Sequence, residues 1–196
     1  MSFKIIIPPE EIITVEEAAK FMRVDFPDDE EQQIKTMITA ARQWCEEYLR
    51  RAIGVQTLRL ILDGFPFLGK QAIILRPPVI KIESVKYLDT NNIEQSLTLD
   101  VDYYLSIDTD PAELRPVSAW PVALKTADSV KIEYQSGYYA GGSPAVSVAL
   151  PSTIKTAMLM QISDLYHNRE AQTDNPLSAN ATMERMLSMY RLEMSL

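Results

Sequence analysis

Between residues 34 and 49 the apolar side chains fall at Ile34, Met37, Ile38, Ala41, Trp44, Cys45, Tyr48 and Leu49. That is an i, i+3, i+4, i+7 series sustained over about four turns, and a helix is the geometry that gathers those positions on one face. Asp28 is placed to cap this helix, and Asp29, Glu30 and Glu31 occupy its first turn, where the helix dipole favours negative charge. Arg50 and Arg51 answer at the other end, and Gly54 supplies a stop. Directly after it the hydrophobic period drops to 2, with Leu58, Leu60 and Leu62 alternating against Thr57, Arg59 and Ile61. A chain that changes period in this way must pack helices against one another and strands against one another.

A second, shorter helix precedes the first. Thr14-Val15-Glu16-Glu17 has the form of a capping box, and Val15, Ala18, Ala19 and Met22 share a face up to about Arg23. Pro27 ends it by disfavouring helical geometry at Phe26. Past Val55, short strands are predicted at 72–75, 79–88, 93–99, 103–107 and 129–135, separated by Pro, Asp and Asn turns. The strand at 79–88 slips phase: Ile80 and Ile82 share one face, Val85 and Tyr87 the other, so a β-bulge is expected near Glu83-Ser84. Helical period returns after Pro151, with Ile154, Ala157, Met158, Gln161, Ile162 and Leu165 in register up to about Arg169. A polar linker over 171–179 leads to a last helix over about 181–192, carrying Met183, Met186, Leu187 and Tyr190 on one face.

The fold class this predicts is α+β: an N-terminal helix pair and C-terminal helices form a small bundle, with a central antiparallel β module inserted between them. The corresponding division is 1–54 helical, 55–137 β module, and 138–196 helical with a docking arm. At 196 residues the chain can bury about 70% of its unfolded surface, so it needs no disulfide to fold. The apolar run Phe3 to Ile7 is cut short by Pro8-Pro9 and Glu10-Glu11, and no window reaches ~18 apolar residues. Neither a secretion signal nor a membrane span is expected, and synthesis in the cytoplasm is the default.

Composition narrows the chemistry. Nineteen basic against 27 acidic side chains give a net charge of −8, opposite to what a phosphate-gripping surface needs. The lone cysteine, Cys45, sits on an apolar helix face beside Glu46 and Glu47, with nothing to lower its thiol pKa; a buried small hydrophobe is the expectation. The lone histidine, His167, has Asp164 one turn before it but no spaced ligand set, and it reads as a helix-terminal residue. Seven carboxylates and no Lys or Arg fall between Asp89 and Glu113. The pairs Asp100/Asp102 and Asp108/Asp110 suggest divalent-ion ligands, yet the stretch lacks the glycine turn of a calcium loop and reads as solvated turns. Gly141-Gly142 is not followed by Lys-Ser/Thr and makes no phosphate loop. No cofactor, metal or catalytic constellation is expected.

The order of short segments along the chain resembles the head–tail connector, or adaptor, proteins of long-tailed bacteriophages. The segments are Ile13-Thr14-Val15-Glu16-Glu17-Ala18-Ala19-Lys20, Ile38 to Glu46, Leu62-Asp63-Gly64-Phe65-Pro66, Leu75-Arg76-Pro77-Pro78-Val79 and Val85-Lys86-Tyr87-Leu88-Asp89. Leu114-Arg115-Pro116, Trp120-Pro121, Tyr134-Gln135-Ser136-Gly137-Tyr138 and Tyr166-His167-Asn168-Arg169-Glu170 complete the set. The chain departs from the family pattern in having Met189 where a proline precedes the closing Tyr190-Arg191, and in its extension Leu192–Leu196. The resemblance implies a structural, non-enzymatic virion protein, made in the bacterial host cytoplasm and built into a ring between portal and tail, whose bore passes duplex DNA without specific binding. It implies portal and tail or neck proteins as partners, with no membrane. On that basis the methionine-rich end (Met183, Met186, Leu187, Met189, Tyr190 and Met194) is the candidate partner surface. The acidic Asp28, Asp29, Glu30 and Glu31 are candidates to face the bore, because neutralised phosphates would make DNA stick. The alternatives are a tail-completion or other neck protein and, from a different class, a small metal-dependent hydrolase using Asp108, Asp110 and His167.

Overall fold

In chain order the elements are β1 (Ser2–Ile7), α1 (Val15–Met22), α2 (Glu31–Leu49), β2 (Gln56–Leu62), β3 (Ile73–Ile74), β4 (Val79–Leu88), β5 (Glu94–Leu97), β6 (Tyr103–Ser106), β7 (Glu113–Pro116), β8 (Val130–Ser136), α3 (Ser152–His167) and α4 (Ala181–Ser188). They come from a computed structural model that describes residues 2–25, 30–66, 71–124, 126–139, 148–168 and 181–192. The fold is α+β with antiparallel sheets, as the change of hydrophobic period requires. Among the described residues no helix is long and apolar enough to cross a membrane.

The chain divides into two compact units. One gathers the strands, from Met1–Glu10, Gly54–Tyr138 and Ser143–Val148. Its larger sheet has the order β1-β2-β8-β4-β5, and a smaller one has the order β3-β7-β6. β8 is the spine of the larger sheet, pairing with β2 on one side and β4 on the other. Its alternate residues Val130, Ile132 and Tyr134 are fully buried, and Leu58 and Leu60 of β2 lie opposite Tyr134 and Ile132. This is the inward phase that the alternation predicts. The expected bulge is present: Ile82 pairs with Tyr134 and Ser84 with Glu133, leaving Glu83 as the extra residue that lets Val85 turn inward.

β1 and β7 are additions to the strands expected from sequence. Residues 2–7, which the change of period groups with the helices, form an edge strand antiparallel to β2. Their partner lies more than fifty residues away, so no local hairpin signal announces them. Gly54, expected to stop the second helix, has a different task. α2 ends at Arg50, which adopts the left-handed conformation (φ 57°). A Cβ on Gly54 would come within 2.6 Å of the Pro9 side chain. Gly137 (φ 136°) is equally constrained, since a Cβ there would lie 2.2 Å from the Gly54 carbonyl oxygen.

The second unit, Glu11–Ile53, Tyr139–Gly142 and Ala149–Leu196, holds the four helices found among the described residues. Thr14 caps α1 by accepting from the Glu17 N–H at 3.2 Å, and the Glu17 carboxylate pairs with Lys155 of α3 at 2.7 Å. α2 packs against α3, and α3 against α4. The buried apolar positions of α3 are Ile154, Ala157, Met158 and Ile162, matching the expected stripe, with Gln161 and Leu165 half-buried at its margin. The proposed cap residue Asp28 and the breaker Pro27 lie outside the described residues.

Candidate functional site

α2 is the helix about which the second unit is organised, and its buried face is not the purely apolar stripe its periodicity suggests. Ile34, Ile38, Ala41, Cys45 and Leu49 are buried, but so are Arg42 (4% exposed) and Glu46 (5%). Met37, Trp44 and Tyr48, expected inside, are only half-buried. The helix is therefore turned so that two charged residues one turn apart face inward. Arg42 Nη1 donates to Glu46 Oε2 at 2.8 Å, and its Nε donates to Glu11 Oε2 at 2.9 Å. Glu46 Oε1 accepts the Ile53 backbone N–H at 2.8 Å. Each buried charge has a partner, which burial of this kind requires. Charged residues on a helix read as solvent-facing in sequence, so this network was not legible there.

The same helix receives the C-terminal segment. Tyr48 Oη donates to the Glu184 carbonyl at 3.4 Å, Arg51 Nε to the Tyr190 carbonyl at 2.6 Å, and the Leu192 N–H to the Leu49 carbonyl at 3.1 Å. The Arg191 guanidinium lies over the Tyr48 ring, 5.0 Å from its centre. Met183 and Leu187 are buried, so two of the six candidate partner residues contribute to the core of their own unit. Met186 and Tyr190 are half-buried, Met189 is 69% exposed, and Met194 lies outside the described residues. α4 closes at Ser188 rather than Leu192, and Tyr190 and Arg191 follow in a turn.

Of the acidic candidates, Asp28 and Asp29 lie outside the described residues. Glu30 Oε2 accepts from Tyr166 Oη at 3.4 Å, and Glu31 pairs with Lys35 at 2.6 Å. The carboxylates after Asp89 are turn residues. Asp89 accepts backbone N–H groups of Asn91 (2.8 Å) and Ile93 (3.0 Å), and these bonds hold its carboxyl below the usual range. Asp102 accepts the Thr98 N–H at 2.7 Å. Asp108 and Asp110 are exposed residues of the sheet unit, whereas His167 belongs to the helical unit, where it bonds the Ser163 carbonyl through Nδ1 at 2.8 Å. Among the described residues no group of three or more His, Cys, Asp and Glu is placed to hold a metal ion. Cys45 is fully buried, and burial, with Glu46 beside it, pushes its thiol up to about 12. At neutral pH it is a protonated core residue, not a nucleophile.

Among the described residues, most of the exposed large apolar side chains are on the sheet unit. Ile5, Ile6 and Ile7 of β1 are all exposed, as are Ile74, Tyr104, Val117 and Val122. In the sequence the opening isoleucines form only an apolar run too short for a signal segment; their value as a surface becomes visible once β1 is placed at a sheet edge.

Comparison with known proteins gives these surfaces a context. Over residues 11–191 the chain matches the family described as Head completion protein (HCP). Among solved structures, a chain of "Virion of native gene transfer agent (GTA) particle" superposes with a TM-score of 0.78 at 17% identity, covering 100% of this chain and 98% of that one. A chain of "Neck of empty GTA particle computed with C6 symmetry" gives 0.78 at 18% identity with the same coverage. A chain of "Neck of native GTA particle computed with C12 symmetry" gives 0.72 at 16%, again with the same coverage. These likenesses establish a shared fold over the whole chain. Among curated proteins, none matches this chain in sequence.

Proposed function

Since the chain belongs to the head completion protein family, we propose that it is a structural protein of the neck of a phage-like particle, joining the DNA-filled head to the tail. Many copies form a ring below the portal, the tail-side neck proteins dock beneath it, and duplex DNA passes through the bore without specific binding. The observation that carries this reading is the family match over nearly the whole chain. The full-length fold shared with chains from gene transfer agent necks supports it. So does the chemistry of the chain, whose net charge of −8 keeps a bore from neutralising phosphates.

Within this reading the acidic segment Asp28–Glu31 faces the bore, and the exposed part of the C-terminal segment, Met189 with Met186 and Tyr190, meets a neighbouring protein. Because Met183 and Leu187 are buried, deleting α4 would open the helical core, so a surface substitution is the cleaner probe. The protein mixed with its portal is expected to add a ring of density at the portal's tail-side face in electron micrographs. Particles assembled without any such density would refute the reading. Replacing Asp28, Asp29, Glu30 and Glu31 together by Lys should create DNA binding that weakens steeply with salt, measurable by fluorescence anisotropy. If that variant binds no DNA and packages and ejects normally, the bore lies elsewhere.

A further inference from the structure

Within the larger sheet the two outer strands differ in chemistry. β1 carries Phe3, Ile5, Ile6 and Ile7, and none of its residues is buried; Ile5 is 55% and Ile7 59% exposed. β2 covers one of its edges, and among the described residues no strand covers the other. A row of unpaired N–H and C=O groups flanked by branched apolar side chains is the type of edge that proteins cover or blunt. Lys4 is the only charge on it. At the opposite end of the sheet, β5 is polar and acidic, with Glu94, Gln95 and Ser96 exposed, and exposed Ile93 and Leu99 lie just beyond its ends.

We propose that β1 is an intersubunit strand whose open edge pairs with the open edge of β5 in the next copy of this chain, joining the sheets of adjacent copies. This rests on the ring reading above. A closed ring needs two different, mutually complementary surfaces on each copy. The two ends of this sheet meet that need: a parallel register that sets Lys4 beside Glu94, whose Oε1 is held by Lys86 at 3.1 Å, brings Phe3 beside Ile93 and Ile7 beside Leu97. Strand sense agrees. Four antiparallel pairings separate β1 from β5, so the two run in the same direction. In a ring of many copies each neighbour is turned through only a small angle, so β5 and the incoming β1 meet as a parallel pair, the strand-addition mode of recognition.

The test uses the full chain under conditions in which it forms rings with its portal. Lys4→Cys is combined in turn with Glu94→Cys, Gln95→Cys and Ser96→Cys, which scans the register. Within one copy the two edges are ~19 Å apart across four strand spacings, too far for a disulfide, so any bridge joins two copies. Buried Cys45 does not compete. One register should give a ladder of dimers and higher multimers on oxidation, while each single variant gives none. Ile5→Lys with Ile7→Lys, both at exposed positions, should fold with an unchanged circular dichroism spectrum yet raise the concentration needed for rings about tenfold or more, since buried unpaired charges are costly. Rings that form normally in that variant, with no ladder in any register, would overturn the pairing and leave the ring reading intact. A wild-type chain that enters no ring would overturn both.

Discussion

The two units solve the same problem with different chemistry. Among the described residues, the buried polar side chains of the sheet unit are neutral: Gln56, Thr57, Ser129 and Ser136. Those of the helical unit are charged: Arg42, Glu46 and Arg51. In the sheet, distant chain segments meet through the backbone ladder itself, and small hydroxyls suffice where it ends. Ser136 Oγ lies 2.7 Å from the Arg76 carbonyl and 2.9 Å from that of Pro78, and Tyr134 Oη accepts the Arg76 N–H at 3.0 Å. A helix satisfies its own backbone except at its ends, where α2 offers the Leu49 carbonyl to the Leu192 N–H; along its length it has no backbone group to give to the loops beside it. Long side chains must bridge that gap, and Glu46 reaches the Ile53 N–H while Arg51 reaches the Tyr190 carbonyl. Charge is buried where backbone cannot do the joining.

The sharpest way to break this comparison is Arg42→Met, which keeps much of the bulk but removes the buried guanidinium that bridges Glu46 and Glu11. Stability should fall by about 3–5 kcal/mol, measured by denaturant unfolding; a loss under about 1 kcal/mol would mean that the ion pair is dispensable. Leu187→Ala tests whether α4 is core, and should cost about 2–5 kcal/mol in the same assay. Little change there would return the whole C-terminal helix to the role of a free arm. Ser136→Ala, the neutral counterpart in the sheet, should cost only about 0.5–1.5 kcal/mol, and a loss as large as that of Arg42→Met would erase the distinction. Smallest of all is Asp89→Ala at the exposed hairpin. Because folding holds the Asp89 carboxyl below its ordinary value, its contribution is present at neutral pH and disappears as pH falls through the carboxylate range. The variant should therefore lose slightly more stability at pH 7 than at pH 3, as followed by thermal melts.

What could be read in the sequence depended on whether the physics was local. The Glu83 bulge was legible because a phase slip shows within ten residues, and α1 was legible because its cap and face lie side by side in the chain. α2 was legible as a helix but not in its rotation. Trp44 and Tyr48 are as apolar as Ile38 by type, yet they stack on each other (5.4 Å) at the margin while Arg42 turns inward. That choice depends on Glu11 and Ile53, which no periodicity within the helix records. β1 depends on β2 in the same way. For the candidate site, the methionine-rich helix was visible, but its division into buried Met183 and Leu187 and exposed Met189 follows from packing on α2 and α3.

The strand order has a consequence for how the chain comes to life. β8 fills the slot between β2 and β4, so the larger sheet stays open until residues 130–136 have left the ribosome. The helical unit waits longer still, because Leu192 must reach back to Leu49. Each unit thus waits for a strand or segment made long after its first residues, and closure over such long sequence separations is slow. Newly made chains therefore spend their first moments with Ile34, Ile38 and Leu58 unsheltered, a period in which chaperones have something to hold.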